Sequence, residues 1–109
     1  MVVIEIRNAE LMDAVAKEAK RLDISNGAIV SLIGAVDSFT ISTMPKDDAT
    51  KDIITDYSVP AEMTGTGEIT NGTVHIHAVM AIEGDQAIAG HLHRAEIATF
   101  FGRAYVIPC

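Results

Sequence analysis

The sequence has few basic residues, and this scarcity excludes most nucleic-acid-binding surfaces. Eight lysines and arginines stand against fifteen aspartates and glutamates, which gives a formal net charge of −7 at pH 7. A surface of this charge repels phosphate backbones. Binding would need a local basic patch, and no basic run is longer than Lys20-Arg21. We therefore do not expect direct nucleic-acid binding.

Cysteines and long apolar runs are also scarce. The single cysteine, Cys109, cannot form an internal disulfide bond. No apolar stretch approaches the roughly 20 residues that a membrane-spanning helix needs. The segment from Met1 to Glu5 contains neither a basic region nor a small-residue cleavage site, so we expect no signal peptide. These absences predict a cytoplasmic protein that is not inserted in a membrane.

The composition and the apolar pattern predict one α+β domain. Apolar residues make up 49% and charged residues 21% of the 109 residues, which is typical of a globular protein. We predict a single domain, 1–109, with one amphipathic helix whose N-cap is Asn8 and whose apolar stripe comprises Leu11, Val15, Ala19 and Leu22. Most of the remaining chain is typical of strands, and Asn71-Gly72 predicts a hairpin turn. The last strand is predicted at 96–107. The predicted fold is a mostly antiparallel, curled sheet of about seven strands packed on one main helix.

All four histidines of the chain lie between residues 75 and 93. The segment Thr73 to Ile82 is the clearest strand, and alternate side chains of a strand point to opposite faces. The face that begins at Val74 is wholly apolar and belongs to the core. His75 and His77 therefore share the other face.

The placement of the other two histidines depends on the length of the next turn. A two-residue turn would put His91 on the core face, because a one-residue slip flips every side chain. A turn of three residues, 84–86, or of five residues keeps the apolar side chains of both strands in the core. In this register His77 opposes His93. Val79 then opposes His91. The pattern favours the odd-length turn, so we predict that all four histidines share one face.

Histidines in this arrangement can bind one metal ion. Paired Cβ atoms lie ~4.5–5.5 Å apart and diagonal ones ~7–8 Å, while imidazole nitrogens bind zinc at ~2.0–2.1 Å. His75, His77 and His91 can therefore converge on one ion, and His93 is a fourth candidate near the end of its strand. Three histidines leave a position open for water or substrate. The predicted cofactor is zinc or another divalent transition metal, since imidazole suits several. The alternative is a set of solvated histidines.

Other motifs are less specific. Glu62 could be a carboxylate ligand or a general base, or only a solvated strand residue. The segment Gly65-Thr66-Gly67 lacks the third glycine of a dinucleotide fingerprint, so a glycine bulge or bend is the better interpretation. No GxSxG elbow is present. His75-x-His77 followed by Glu83 is loosely similar to the first cupin motif, but the spacing to the glutamate is too long and the second motif is absent.

The histidine hairpin resembles that of a known family. The segments Val74 to Met80 and Ala89 to Leu92 resemble the plants-and-prokaryotes-conserved (PPC) domain, as do Ser31 to Val36 and Glu62 to Ile69. The resemblance spans essentially the whole chain in the right order. It departs from the family in having Ala89 where a glycine is usual, an additional His93, and no Arg-Gly-Arg-Pro hook.

The resemblance implies an α/β domain that forms homotrimers and, in prokaryotic members, holds a metal. That site would be carried here by His75, His77 and His91. If the site is catalytic, we expect metal-assisted chemistry on a small polar substrate, with Glu62 as a candidate base. One alternative is a DNA-associated or transcription-regulatory module that acts through protein contacts, as the domain does beside AT-hooks in plants. Another is a purely structural metal at a trimer junction.

Overall fold

The computed structural model describes residues 1–109 as one open sheet of nine strands with one helix. The helix α1 is Leu11–Arg21. The strands are β1 (Val2–Ile6), β2 (Ala9–Glu10), β3 (Gly27–Val36), β4 (Ser38–Thr43), β5 (Ile53–Tyr57), β6 (Ala61–Thr70), β7 (Thr73–Ile82), β8 (Gln86–Ile97) and β9 (Gly102–Pro108). The order across the sheet is β1-β9-β3-β6-β7-β8-β4-β5, with β2 paired to β8. All pairings are antiparallel.

The predicted antiparallel sheet is confirmed, but it has nine strands rather than about seven, and the helix is not its main packing element. Of the 22 buried apolar residues of the core, α1 contributes Leu11, Val15 and Ala19. An 11-residue helix is about 16 Å long, whereas the molecule measures 37 × 34 × 18 Å. The helix is therefore too short to cover the sheet, and most of the core comes from the strands. No helix of the chain is long and apolar enough to cross a bilayer.

The helix begins after Glu10, not after the predicted N-cap Asn8. The Glu10 carboxylate accepts hydrogen bonds from the backbone N–H groups of Met12 and Asp13 at 3.0 Å each. It also accepts one from the backbone of Ala95 on β8, at 2.9 Å. Asn8 has a φ of 50° and lies in a bend before the short strand β2. Contact with β8 thus overrides the ordinary preference for a short polar side chain at the N-cap.

The predicted final strand, 96–107, is interrupted in the structure. β8 ends at Ile97, and β9 begins only at Gly102. Between them, the Asp37 carboxylate accepts hydrogen bonds from the backbone N–H groups of Ala98 and Thr99 and from the Thr99 hydroxyl. These side-chain contacts compete with strand pairing for the backbone donors. A contact between residues that are 61 positions apart in the sequence therefore divides one predicted strand into two.

Candidate metal centre

β7 presents its alternate residues to two different environments, as predicted. Ile76, Ala78 and Met80 are buried in the core. His75 and His77 point to the other face, where His75 is half-buried and His77 is exposed. The core-facing residues hold the strand in place, so the two histidines share one fixed surface.

The turn between β7 and β8 has an odd number of residues, as the apolar pattern predicted. His77 pairs with His91, and the pairing continues to the turn at residues 83–85. The predicted register is wrong by two residues, because His77 faces His91 rather than His93. Asp85 adopts a left-handed φ of 57°, which aspartate tolerates, and this closes the turn one residue early. A shift of two residues leaves the faces unchanged.

β8 contains a β-bulge at His93. Its neighbours Leu92 and Arg94 pair with consecutive residues of β4, which leaves His93 without a cross-strand partner. Its Nε2 atom lies 2.8 Å from the hydroxyl oxygen of Ser42. The pairing between β7 and β8 ends at His91. A bulge bends the strand that contains it, so His93 is held by β4 rather than by β7.

Three of the four histidines form one group. One ring nitrogen from each of His75, His77 and His91 lies within 4.8 Å of the others. The Nε2 atoms of His75 and His77 are 3.2 Å apart. Two ligands of a tetrahedral zinc ion with bonds of 2.0–2.1 Å are separated by about 3.3 Å. The donor set and its spacing therefore fit zinc, and His93 lies outside the group although its ring centroid is 4.8 Å from that of His91.

Glu68 of β6 also belongs to this site. It pairs directly with His75 across the sheet, and its Oε2 atom lies 3.3 Å from His75 Nδ1. Sequence reasoning missed Glu68, although a signal for it exists. A two-residue turn at Asn71-Gly72 pairs Thr70 with Thr73, and counting back from that pair places Glu68 opposite His75.

Two glycines of β6 let the backbone of β7 approach closely. A Cβ atom at Gly65 would lie 2.6 Å from the carbonyl oxygen of His77, and one at Gly67 would lie still closer to the carbonyl oxygen of His75. The pairing of β6 with β7 is continuous, so the predicted glycine bulge is not in β6. The irregularity lies in β3, between Ile29 and Leu32, opposite these glycines. The two glycines therefore allow the backbones of β6 and β7 to pack closely at His75 and His77.

The surroundings of His91 favour its neutral form. Burial lowers the pKa of His91 below its ordinary value. The rings of His93, His75 and His77 act in the same direction, because protonated neighbours disfavour a further positive charge, and Asp52 opposes them. Metal binding requires an unprotonated nitrogen. His91 is therefore a suitable ligand at neutral pH.

Glu62 is not brought to the histidines. It lies on the same face of the sheet but pairs with Ala81, four residues along β7 from His77, which corresponds to roughly 13 Å. Glu62 instead lines a separate groove of about 920 Å³, together with Ile33, Val79, Phe100 and Arg103.

Comparisons with known proteins agree with this architecture. Residues 1–108 match the model of the Plants and Prokaryotes Conserved (PCC) domain, the domain also abbreviated PPC. A metal-containing protein from Archaeoglobus fulgidus is similar in structure, with a TM-score of 0.81 and 21% identity over 98% of this chain and 77% of that chain.

Two further solved structures show the same fold. A "putative DNA-binding protein" from Ralstonia eutropha JMP134 has a TM-score of 0.83 and 18% identity, covering 98% of this chain and 76% of that one. A PPC protein from Pyrococcus horikoshii has a TM-score of 0.81 and 16% identity, covering 99% and 79%. No curated protein matches the sequence.

Proposed function

The chain belongs to the Plants and Prokaryotes Conserved domain family, and on that premise we propose that it binds a divalent transition metal, zinc foremost, through His75, His77 and His91. The observation that carries this proposal is the convergence of three ring nitrogens within 4.8 Å on one face. The name of the Archaeoglobus fulgidus neighbour, a metal-containing protein, supports the same function on the same fold.

The surroundings of His75 and His77 favour access by a small polar ligand. His75 and His77 line a shallow hollow of about 210 Å³ with Thr66, Gly67 and Glu68, and none of these side chains is apolar. A divalent metal held by three histidines would supply Lewis-acid polarisation of water or of a substrate oxygen. The chain's own residues would hold and expose the ion. Glu62, roughly 13 Å away along the strand, has no part in the proposed site.

Metal analysis tests the proposal. We expect about one equivalent of zinc per chain after purification without chelators, and its loss in the His75→Ala and His91→Ala variants. His93→Ala is the matched control, because it removes a histidine from the same strand but outside the group of three. Wild-type protein with less than about a tenth of an equivalent, and no rebinding of zinc, would refute the proposal.

We also propose that the chain assembles into a homotrimer through the histidine face. Ile33, Val79 and Phe100 around the Glu62 groove are 54%, 39% and 60% exposed. Ile33 and Val79 each pair with Thr64, so they lie in one row across the sheet. Soluble monomers rarely expose large contiguous apolar patches. A second copy of the chain would remove this surface from water.

Light scattering after size exclusion tests the assembly. A trimer would have about three times the chain mass of 11.6 kDa. The Val79→Asp variant should dissociate it, whereas Thr73→Asp, at the exposed start of the same strand, should not. Adding a chelator distinguishes two roles of the metal. Dissociation of the trimer on metal removal indicates a structural ion at a subunit junction, whereas an intact trimer indicates an ion that binds a small ligand. A wild-type monomer at micromolar concentration would contradict the assembly.

A DNA-associated role is the second candidate function. Similar structures from Ralstonia eutropha and Bacteroides thetaiotaomicron are each named "putative DNA-binding protein". These names do not support our expectation, drawn from the net charge, that the chain does not bind nucleic acids directly. The described surface does not favour direct contact with phosphates, because several arginines pair with carboxylates. Gel-shift assays across a salt series decide the matter. Retardation that persists at physiological salt supports direct binding, and retardation that vanishes there argues against it.

A further inference from the structure

We infer that Glu68 is the positioning residue of the proposed metal centre: its carboxylate holds the Nδ1–H of His75 and thereby directs Nε2 toward the ion. This inference rests on the proposed metal-binding function. It concerns a residue that touches a ligand and not the metal itself.

The ring of His75 has a different neighbour at each nitrogen. Nδ1 lies 3.3 Å from Glu68 Oε2, and Nε2 lies 3.2 Å from Nε2 of His77. A neutral imidazole carries one proton, and an ionised carboxylate can only accept hydrogen bonds. The proton therefore belongs on Nδ1, which leaves the lone pair of Nε2 directed toward the other histidines.

No other histidine of the group has this support. In the structure no carboxylate is hydrogen-bonded to His77 or His91, and His93 contacts the hydroxyl of Ser42. Metal-binding histidines commonly donate their second ring N–H to a carboxylate, which fixes the ring and raises its basicity, and loss of such a partner typically costs 10–100-fold in affinity. His75 is thus the ligand whose orientation depends on one named side chain.

The fold fixes the position of Glu68 through its neighbours. Ile69 is 2% exposed and anchors β6 in the core, while Gly67 lies against the backbone of His75. The side chains of Glu68 and His75 remain 58% and 43% exposed. A contact between side chains this exposed contributes little to stability, so substitutions at Glu68 should leave the fold intact.

Zinc affinity, measured by competition with a chromogenic chelator, tests the inference. We expect Glu68→Gln and Glu68→Ala to weaken zinc binding by about tenfold, the low end of the range, because the pair is exposed. Glu62→Gln is the matched control: it removes the same charge from the same strand and face, roughly 20 Å away. Equal losses in the Glu62 and Glu68 variants would indicate a bulk charge effect and overturn the inference.

A double-mutant cycle separates positioning from direct ligation. In a His75→Ala background, Glu68→Ala should have no further effect on the weaker, residual zinc affinity that His77 and His91 provide, because Glu68 acts through His75. Additive losses would mean that Glu68 acts independently of His75, and would overturn the inference. The absorption spectrum of bound cobalt should also change in Glu68→Ala but not in Glu62→Gln, since it reports the orientation of the ligands.

The tautomer of His75 provides a readout that needs no metal. At pH 8, nitrogen NMR should find the Nδ1–H form of His75 in wild-type protein and a shift toward the Nε2–H form in Glu68→Ala. If wild-type protein binds no metal, the proposed function fails and the role of Glu68 in metal affinity fails with it. If wild-type protein and the Glu68 variants bind zinc equally, only the inference about Glu68 fails.

Discussion

The Gly67→Ala substitution should force β6 and β7 apart at the position that carries His75. A Cβ atom at residue 67 would lie far inside the 3.0 Å limit of real contacts with the carbonyl oxygen of His75, and 3.0 Å from the Cα atom of Ile76. Both of these atoms belong to the backbone of β7, so neither can move away by a side-chain rotation. Restoring ordinary van der Waals contact requires a displacement of about 1 Å between the strands.

Three terms set the size of the effect. Overpacking typically costs about 1–3 kcal/mol, and each weakened ladder hydrogen bond about 1 kcal/mol. Alanine recovers about 0.4–1 kcal/mol by restricting the unfolded chain. The net expectation for Gly67→Ala is a loss of about 2 kcal/mol in the free energy of unfolding, or roughly 10 °C in Tm for a domain of this size.

Urea unfolding and zinc titration of the same variant measure both consequences. Zinc affinity should fall together with stability, because the displaced backbone is that of a proposed ligand. Gly84→Ala is the control: no atom lies nearer than 3.8 Å to its added Cβ, and only its left-handed φ of 85° is strained, at a cost of roughly 1 kcal/mol. A Gly67→Ala protein within about 0.5 kcal/mol of wild type, or a more destabilised Gly84→Ala protein, would refute the close-approach argument.

Further predictions concern ligands, core and acid stability. His91→Ala should abolish the stabilisation of about 2.7 kcal/mol that zinc at 100 times its Kd provides, whereas His93→Ala should retain it in thermal melts; equal losses would contradict the group of three. Met80→Ala should lower the free energy of unfolding by about 2–5 kcal/mol in urea titrations, since Met80 is fully buried. The pKa of Asp37 is held below its ordinary value, first by the Thr99 hydroxyl and then by two backbone amides. The Asp37 carboxyl therefore binds protons more weakly in the folded than in the unfolded protein. Its contribution to the free energy of unfolding is complete above about pH 4 and is lost at lower pH. In the Asp37→Ala variant, the free energy of unfolding should fall less steeply with decreasing pH below that value. An unchanged pH dependence would argue against the contact of Asp37 with Thr99.

Much of the candidate site could be predicted from the sequence, because the alternation of side chains along a strand is a local property. Apolar residues at every second position of β7 placed His75 and His77 on the non-core face. The same parity argument required an odd turn before β8 and so placed His91 beside them. The hairpin at Asn71-Gly72 could be predicted because asparagine and glycine readily adopt the left-handed φ values that the turn needs, here 50° and 81°.

Only the tertiary structure decided the finer arrangement. Registers that differ by two residues bury the same faces, so the apolar pattern could not choose between His91 and His93 as the partner of His77. The bulge at His93 arises from pairing with β4, which lies about 50 residues earlier in the chain. The pairing of Glu68 with His75, by contrast, follows from the two-residue turn at Asn71-Gly72 and could have been predicted from the sequence. The sequence by itself therefore determined which histidines share a face and which carboxylate lies opposite His75, and pairing with the distant strand β4 decided which three histidines converge.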